Sequence, residues 1–166
     1  MRSRSRSRLA ALGLVLLAGG CGHDLRSGGY VLTQTGAPRE DTCHLLPSDG
    51  SLSMLYLTKM GEEVRIELEL FGPEAPVRMI GRFKRSIDGE PDQFSADGSV
   101  GDVVIDVDGQ RCTVEFGQVH LDATISEGSD TSFEGVLTVY QTLVPDQELC
   151  PLTCRAEVSY SAEKMR

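Results

Sequence analysis

Val64-Arg65-Ile66-Glu67-Leu68-Glu69-Leu70 is the stretch whose reading decides the fold. In an extended chain successive side chains point to opposite faces, so Val64, Ile66, Leu68 and Leu70 share one face and charged residues fill the other. The same period of two recurs outward from this segment. Val77, Met79 and Phe83 alternate with Arg78, Arg82 and Lys84; Val103, Ile105 and Val107 alternate likewise, as do Ala156, Val158 and Tyr160. One apolar and one wet face is the signature of antiparallel sheet. No segment sustains a helical stripe.

The punctuation fits that reading. Asp49-Gly50, Asp88-Gly89, Asp97-Gly98 and Asp108-Gly109 are hairpin signals, because Asp-Gly tolerates the positive φ of tight turns. Further breaks fall at Gly61-Glu62, Gly72-Pro73 and Glu127-Gly128-Ser129-Asp130. Strands at this spacing predict an all-β fold, an antiparallel meander of about eight to nine strands closed as a barrel or stacked as a sandwich. One strand changes phase. Val114 and Phe116 share a face, whereas Val119, Leu121, Ala123 and Ile125 continue on the opposite parity. A bulge at Gly117-Gln118 would bring both sets to the core. Phe71, Phe83, Phe94, Phe116, Phe133 and Tyr160 are expected in that core.

The first residues obey different rules. Arg2, Arg4, Arg6 and Arg8 precede an apolar run from Leu9 to Leu17, and Ala18, Gly19, Gly20 and Cys21 follow. A basic region, a short apolar core and small residues form an export signal. The run from Leu9 to Gly20 is too short to cross a bilayer as a helix. Leu17-Ala18-Gly19-Gly20-Cys21 resembles the lipobox of bacterial lipoproteins, with Ala18 where that family usually has Leu. The resemblance, confined to these opening residues, implies cleavage before Cys21, acylation of its thiol and a covalent membrane anchor. Gly22, rather than Asp, after the Cys implies outer-membrane delivery if the cell has two membranes. The chain accordingly divides into residues 1–20 as signal, 21–40 as lipidated Cys and flexible tether, and 41–166 as a disulfide-tied β domain. Within the tether, Tyr30-Val31-Leu32 could dock as a short strand.

Without residues 1–20 the chain has 12 basic and 25 acidic residues, a net charge of −13. Such a chain avoids nucleic acid and anionic lipid rather than seeking them, and the charge is read as solubility. Four cysteines remain beyond Cys21: Cys43, Cys112, Cys150 and Cys154. In an exported chain an even number implies two disulfides, with three connectivities open. If Glu127 to Asp130 turns a hairpin, paired residue numbers sum to about 257, which sets Cys112 opposite roughly residue 145. That favours Cys112 with Cys150, leaving Cys43 to join Cys154. A zinc site on Cys150-x3-Cys154 lacks a strong ligand spacing, and export disfavours free thiolates.

Local motifs for chemistry are few. His120 lies on the wet face with Gln118 and Asp122, and reads as a surface histidine; His23 and His44 have no catalytic context. Asp102, Asp106 and Asp108 with Gly109 do not match a calcium loop, and a hairpin turn explains them. Glu67 and Glu69 project from a solvated strand rather than into a cleft. No catalytic, cofactor-binding or metal residue is therefore assigned, and an enzyme is not expected. The leading expectation is a membrane-anchored, non-catalytic lipoprotein of the cell envelope, facing periplasm or cell surface, that supports or contacts other envelope proteins. The alternative is a lipocalin-like carrier of a small apolar ligand, since an eight-stranded barrel can leave room for one.

Overall fold

Among the described residues the chain runs through ten strands: β1 (Gly28–Gln34), β2 (Glu40–Asp41), β3 (Ser51–Met60), β4 (Glu63–Leu68), β5 (Val77–Lys84), β6 (Gln93–Val100), β7 (Val103–Val107), β8 (Gln110–Ile125), β9 (Ser132–Leu143) and β10 (Thr153–Lys164). This is a computed structural model, and it describes residues 24–44, 46, 50–86, 90–107, 109–143, 150 and 153–166. The stretch from Val64 to Leu68 falls in β4, with Val64, Ile66 and Leu68 buried and Arg65 and Glu67 exposed.

Eight strands close into a barrel in the order β1-β3-β4-β5-β6-β8-β9-β10, every neighbour antiparallel. Pairing of β10 with β1, from Tyr30↔Lys164 to Gln34↔Tyr160, seals the ring. Closure leaves the ring itself no unpaired edge. β8 is 16 residues long and serves two partners. Its second half pairs β6, while its first half pairs the short β7. β2 adds two residues alongside β10. Apolar residues fill the inside and charged ones coat the outside, the reverse of a barrel built to face lipid.

Closure needs the sheet to coil tightly, and two glycines permit it. A Cβ at Gly81 would lie 1.9 Å from the Ser95 carbonyl oxygen on β6, and one at Gly135 would lie 1.8 Å from that of Asp122 on β8. Only glycine allows such approach. Tyr160, paired in register with Gly135, donates its hydroxyl to Asp122 O at 2.9 Å. Burial pushes the Tyr160 phenol well above its ordinary pKa. An aromatic on one strand thus bridges the glycine of the next.

Phe133 is the hub of the interior at one end. Its ring centroid lies 5.0 Å from Tyr30, 5.1 Å from Phe94 and 6.1 Å from Tyr160, tilted or edge-on in each case. These are favourable aromatic geometries, and the four rings occupy the barrel lumen there.

Three expectations are corrected. Residues 28–34, placed in the flexible tether, form β1 of the ring, with Tyr30 and Leu32 fully buried; the short docked strand was the right reading of that segment. The physical reason is that seven strands would leave two open edges, which β1 closes. Asp97-Gly98 is not a turn but lies within β6, where Gly98 packs against the Arg78 carbonyl and Met79 of β5. The bulge in β8 falls at Glu115, between Val114 and Phe116, rather than at Gly117-Gln118. Val114 therefore points inward while Phe116 turns out, 45% exposed.

Candidate functional site

The two ends of the barrel are built differently. At the disulfide end, Cys43 bonds Cys154 and Cys112 bonds Cys150, the pairing that the hairpin register favours. The β8–β9 register runs at pairs such as Val119↔Val139, and the Glu115 bulge shifts it by one at Val114↔Leu143. Cys112 is thus carried past the end of β9 toward Cys150. The first bond ties the segment after β1 to the start of β10, and the second ties the start of β8 to the segment before β10. Cys43, Cys112 and Cys154 are buried, so these sulfurs are structural in setting rather than reactive. Gln141, fully buried, brings its amide oxygen to 3.6 Å from Cys154 Sγ, and its Nε2 has no partner. A disulfide sulfur carries no proton, so turning the amide over would let its N–H face the sulfur.

The opposite end holds the N-terminal segment. Asp24 accepts from Lys59 Nζ at 3.1 Å and from Arg85 at 2.6 Å, and these cations hold its carboxyl below the ordinary aspartate range. Leu25 is 3% exposed. Arg26 donates its backbone N–H to Asp130 O at 2.9 Å and pairs its guanidinium with the Asp130 carboxylate at 2.6 Å. Ser27 accepts from the Lys59 amide, and the Tyr30 hydroxyl donates to Arg26 O. Burial first, then Asp130, pushes the Tyr30 phenol up to about 12. Lys59 and Arg85 stand at the ends of β3 and β5, whereas Asp130 lies in the β8–β9 turn, across the ring. Residues 24–27 therefore cross the barrel mouth as a strap, with Leu25 as its plug. Lys59 is held beneath it, its side chain 10% exposed and its Nζ 4.4 Å from the centre of the Phe83 ring.

The sequence gives little notice of this strap. Asp24, Leu25 and Arg26 belong to no motif, and the ion-pair partners of Asp24 and Arg26 lie 35 to 104 residues away. Cys21, where an anchor is expected, lies outside the described residues, as does His23.

On the outer wall His120 of β8 is gripped by two carboxylates. Its Nδ1 lies 2.6 Å from Asp97 Oδ1 across on β6, and its Nε2 lies 3.1 Å from Asp122 Oδ2. Hydrogen bonding to Asp97 first, then to Asp122, raises its pKa against the opposing effect of burial. When protonated, the ring donates from both nitrogens to these carboxylates and has no lone pair left for a metal or a substrate proton. Its role there is to stitch β6 to β8. Asp106 accepts from the Gly109 amide at 2.7 Å and caps the β7–β8 turn, which accounts for one of the aspartates in that run.

Comparison of the chain with protein-family models, with curated proteins and with solved structures finds no match.

Proposed function

We propose that this is a membrane-anchored, non-catalytic lipoprotein of the bacterial cell envelope, a rigid disulfide-tied barrel that supports or contacts other envelope proteins. The observation that carries the reading is the run from Leu17 to Cys21 behind a basic region and a short apolar core. An acyl chain contributes about 0.8 kcal/mol per buried methylene, so stable holding takes two or more chains. The two disulfides suit an oxidising compartment. The charged outer wall suits a domain that sits in water beside the membrane rather than within it.

The carrier alternative needs an open lumen. Here Tyr30, Phe94, Phe133 and Tyr160 occupy it at the strap end, so no specific observation favours that reading. Fractionation of cells tests the proposal. The native chain is expected in the membrane fraction with an acylated Cys21 peptide, and Cys21→Ser is expected in the soluble fraction. Retention of Cys21→Ser with the membrane refutes the anchor. Crosslinking in cells tests the supporting role, and a chain that recovers no envelope partner counts against it.

A further inference from the structure

The strap changes what an anchor at Cys21 would do. A long tether would let the barrel tumble above the bilayer. Here the chain is fixed to the barrel from Asp24 onward, by two ion pairs at Asp24, by an ion pair and a backbone hydrogen bond at Arg26, and by the burial of Leu25. Three residue steps separate Cys21 from Asp24, and even a fully extended chain spans at most about 11 Å in that distance. Whatever holds Cys21 therefore holds the barrel mouth within that reach.

We infer that the barrel stands on the bilayer on its strap end, with the disulfide end facing away. This rests on the lipoprotein reading and adds orientation to it. β10, 12 residues long, spans roughly 30 Å along a barrel axis tilted as is usual, so the disulfide end projects about that far into the aqueous space.

Charge is distributed to suit. Among the described residues, the strap end (residues 24–27, 59–63, 84–93, 125–132 and 163–166) carries Arg26, Lys59, Lys84, Arg85, Lys164 and Arg166 against eight acids. The rest of the described chain carries six bases against twelve acids. The strap end is thus near balance at −2, and the remainder is at −6. Presenting the disulfide end instead, where Glu40, Asp41, Glu69, Glu74, Asp102 and Asp106 outnumber Arg39, Arg111 and Arg155, would bring more like charge to an anionic bilayer. Exposed apolar side chains occur at this end, as others (Val104, Phe116 and Tyr140) occur toward the opposite one. Met60 is 49% exposed, and Met165 reaches over Gly29 beside Tyr56, both exposed. A tyrosine and methionines at headgroup depth suit an interface that is half wet.

All three lysines of the chain beyond Cys21 (Lys59, Lys84 and Lys164) lie at this end, which makes amine footprinting a direct reading. The lipidated protein on vesicles of phosphatidylethanolamine and phosphatidylglycerol is compared with soluble Cys21→Ser, using a membrane-impermeant amine reagent. Glu74→Lys, in the exposed β4–β5 loop at the disulfide end, supplies a distal reporter in both. Labelling of Lys84 and Lys164 is expected to fall about fivefold or more on vesicles, as headgroups cover them, while the distal reporter is unchanged. Ten Gly-Ser residues inserted between His23 and Asp24 are expected to restore labelling. If the chain floats with vesicles but Lys84 and Lys164 label at the soluble rate, the orientation is overturned and the anchor stands. If it does not float, both fall. Protection that survives detergent would assign the surface to a protein neighbour and also overturn the inference.

Discussion

Removing each disulfide in turn gives a quantitative test of how the barrel is held. The bonds close loops of different length: Cys43–Cys154 spans 111 residues and Cys112–Cys150 spans 38. In the chain-entropy treatment the lost loop-closure entropy corresponds to about 4.8 kcal/mol for the first bond and about 3.9 kcal/mol for the second at 25 °C. The sulfurs are replaced by alanine in pairs, Cys43→Ala with Cys154→Ala and Cys112→Ala with Cys150→Ala, in the soluble Cys21→Ser background. Three of the four positions are buried, so each pair also leaves a small void, and the voids do not reverse the order. Urea unfolding measures the outcome. With a slope near 2 kcal/mol/M, the first pair should lower the midpoint by about 2 M and the second by somewhat less. A typical domain has only about 5–15 kcal/mol in total, so either loss is severe. A Cys112→Ala/Cys150→Ala variant less stable than Cys43→Ala/Cys154→Ala would refute the loop-length reasoning.

Four more outcomes are expected. Gly135→Ala sets a methyl against backbone atoms of Asp122 and Ala123 that no rotamer change can relieve, and should cost about 3 kcal/mol, read as a fall in Tm; an unchanged Tm would show the sheet can flatten there. Phe133→Ala removes the hub of the ring cluster and should cost about 3–5 kcal/mol in urea unfolding, far more than truncation of exposed Phe116. Gln141→Met replaces an unpartnered buried amide and should be neutral or stabilising by about 1 kcal/mol; a loss beyond that would mean the amide makes bonds that matter. The His120 grip should be pH-dependent. Its folded pKa is raised above the unfolded value near 6.5, so its stabilisation is complete below about pH 6.5 and is lost as pH rises through the folded pKa. Its side chain is 42% exposed, so the effect is screened to less than about 1 kcal/mol. The stability difference between the native chain and His120→Gln should shrink as pH rises from 5 to 9; a difference that grows would reverse the assignment.

Much of the fold was legible because burial in a sheet has period two. The alternation at Val64–Leu68, Val77–Phe83 and Ala156–Tyr160 maps directly onto inward positions of β4, β5 and β10. The disulfide pairing was legible because hairpin register is a local arithmetic, and a one-residue bulge did not spoil it. Position within a strand was less so. Asp97-Gly98 has the composition of a turn, yet the glycine is there for the close approach of β5, a cause that lies some twenty residues away. Phe116 has the side chain of a core residue, but the Glu115 bulge sets its direction.

The sequence by itself determined the period of the strands and the cysteines that could pair. Those follow from local chemistry: side-chain alternation and an even set of thiols. Tertiary structure alone decided that β1 closes the ring against β10, and that residues 24–27 become a strap rather than a tether. Asp24, Leu25 and Arg26 acquire meaning only when the barrel brings Lys59, Arg85 and Asp130 to one mouth. Contacts between residues far apart in sequence leave no periodic trace in it, and ring closure is what creates them.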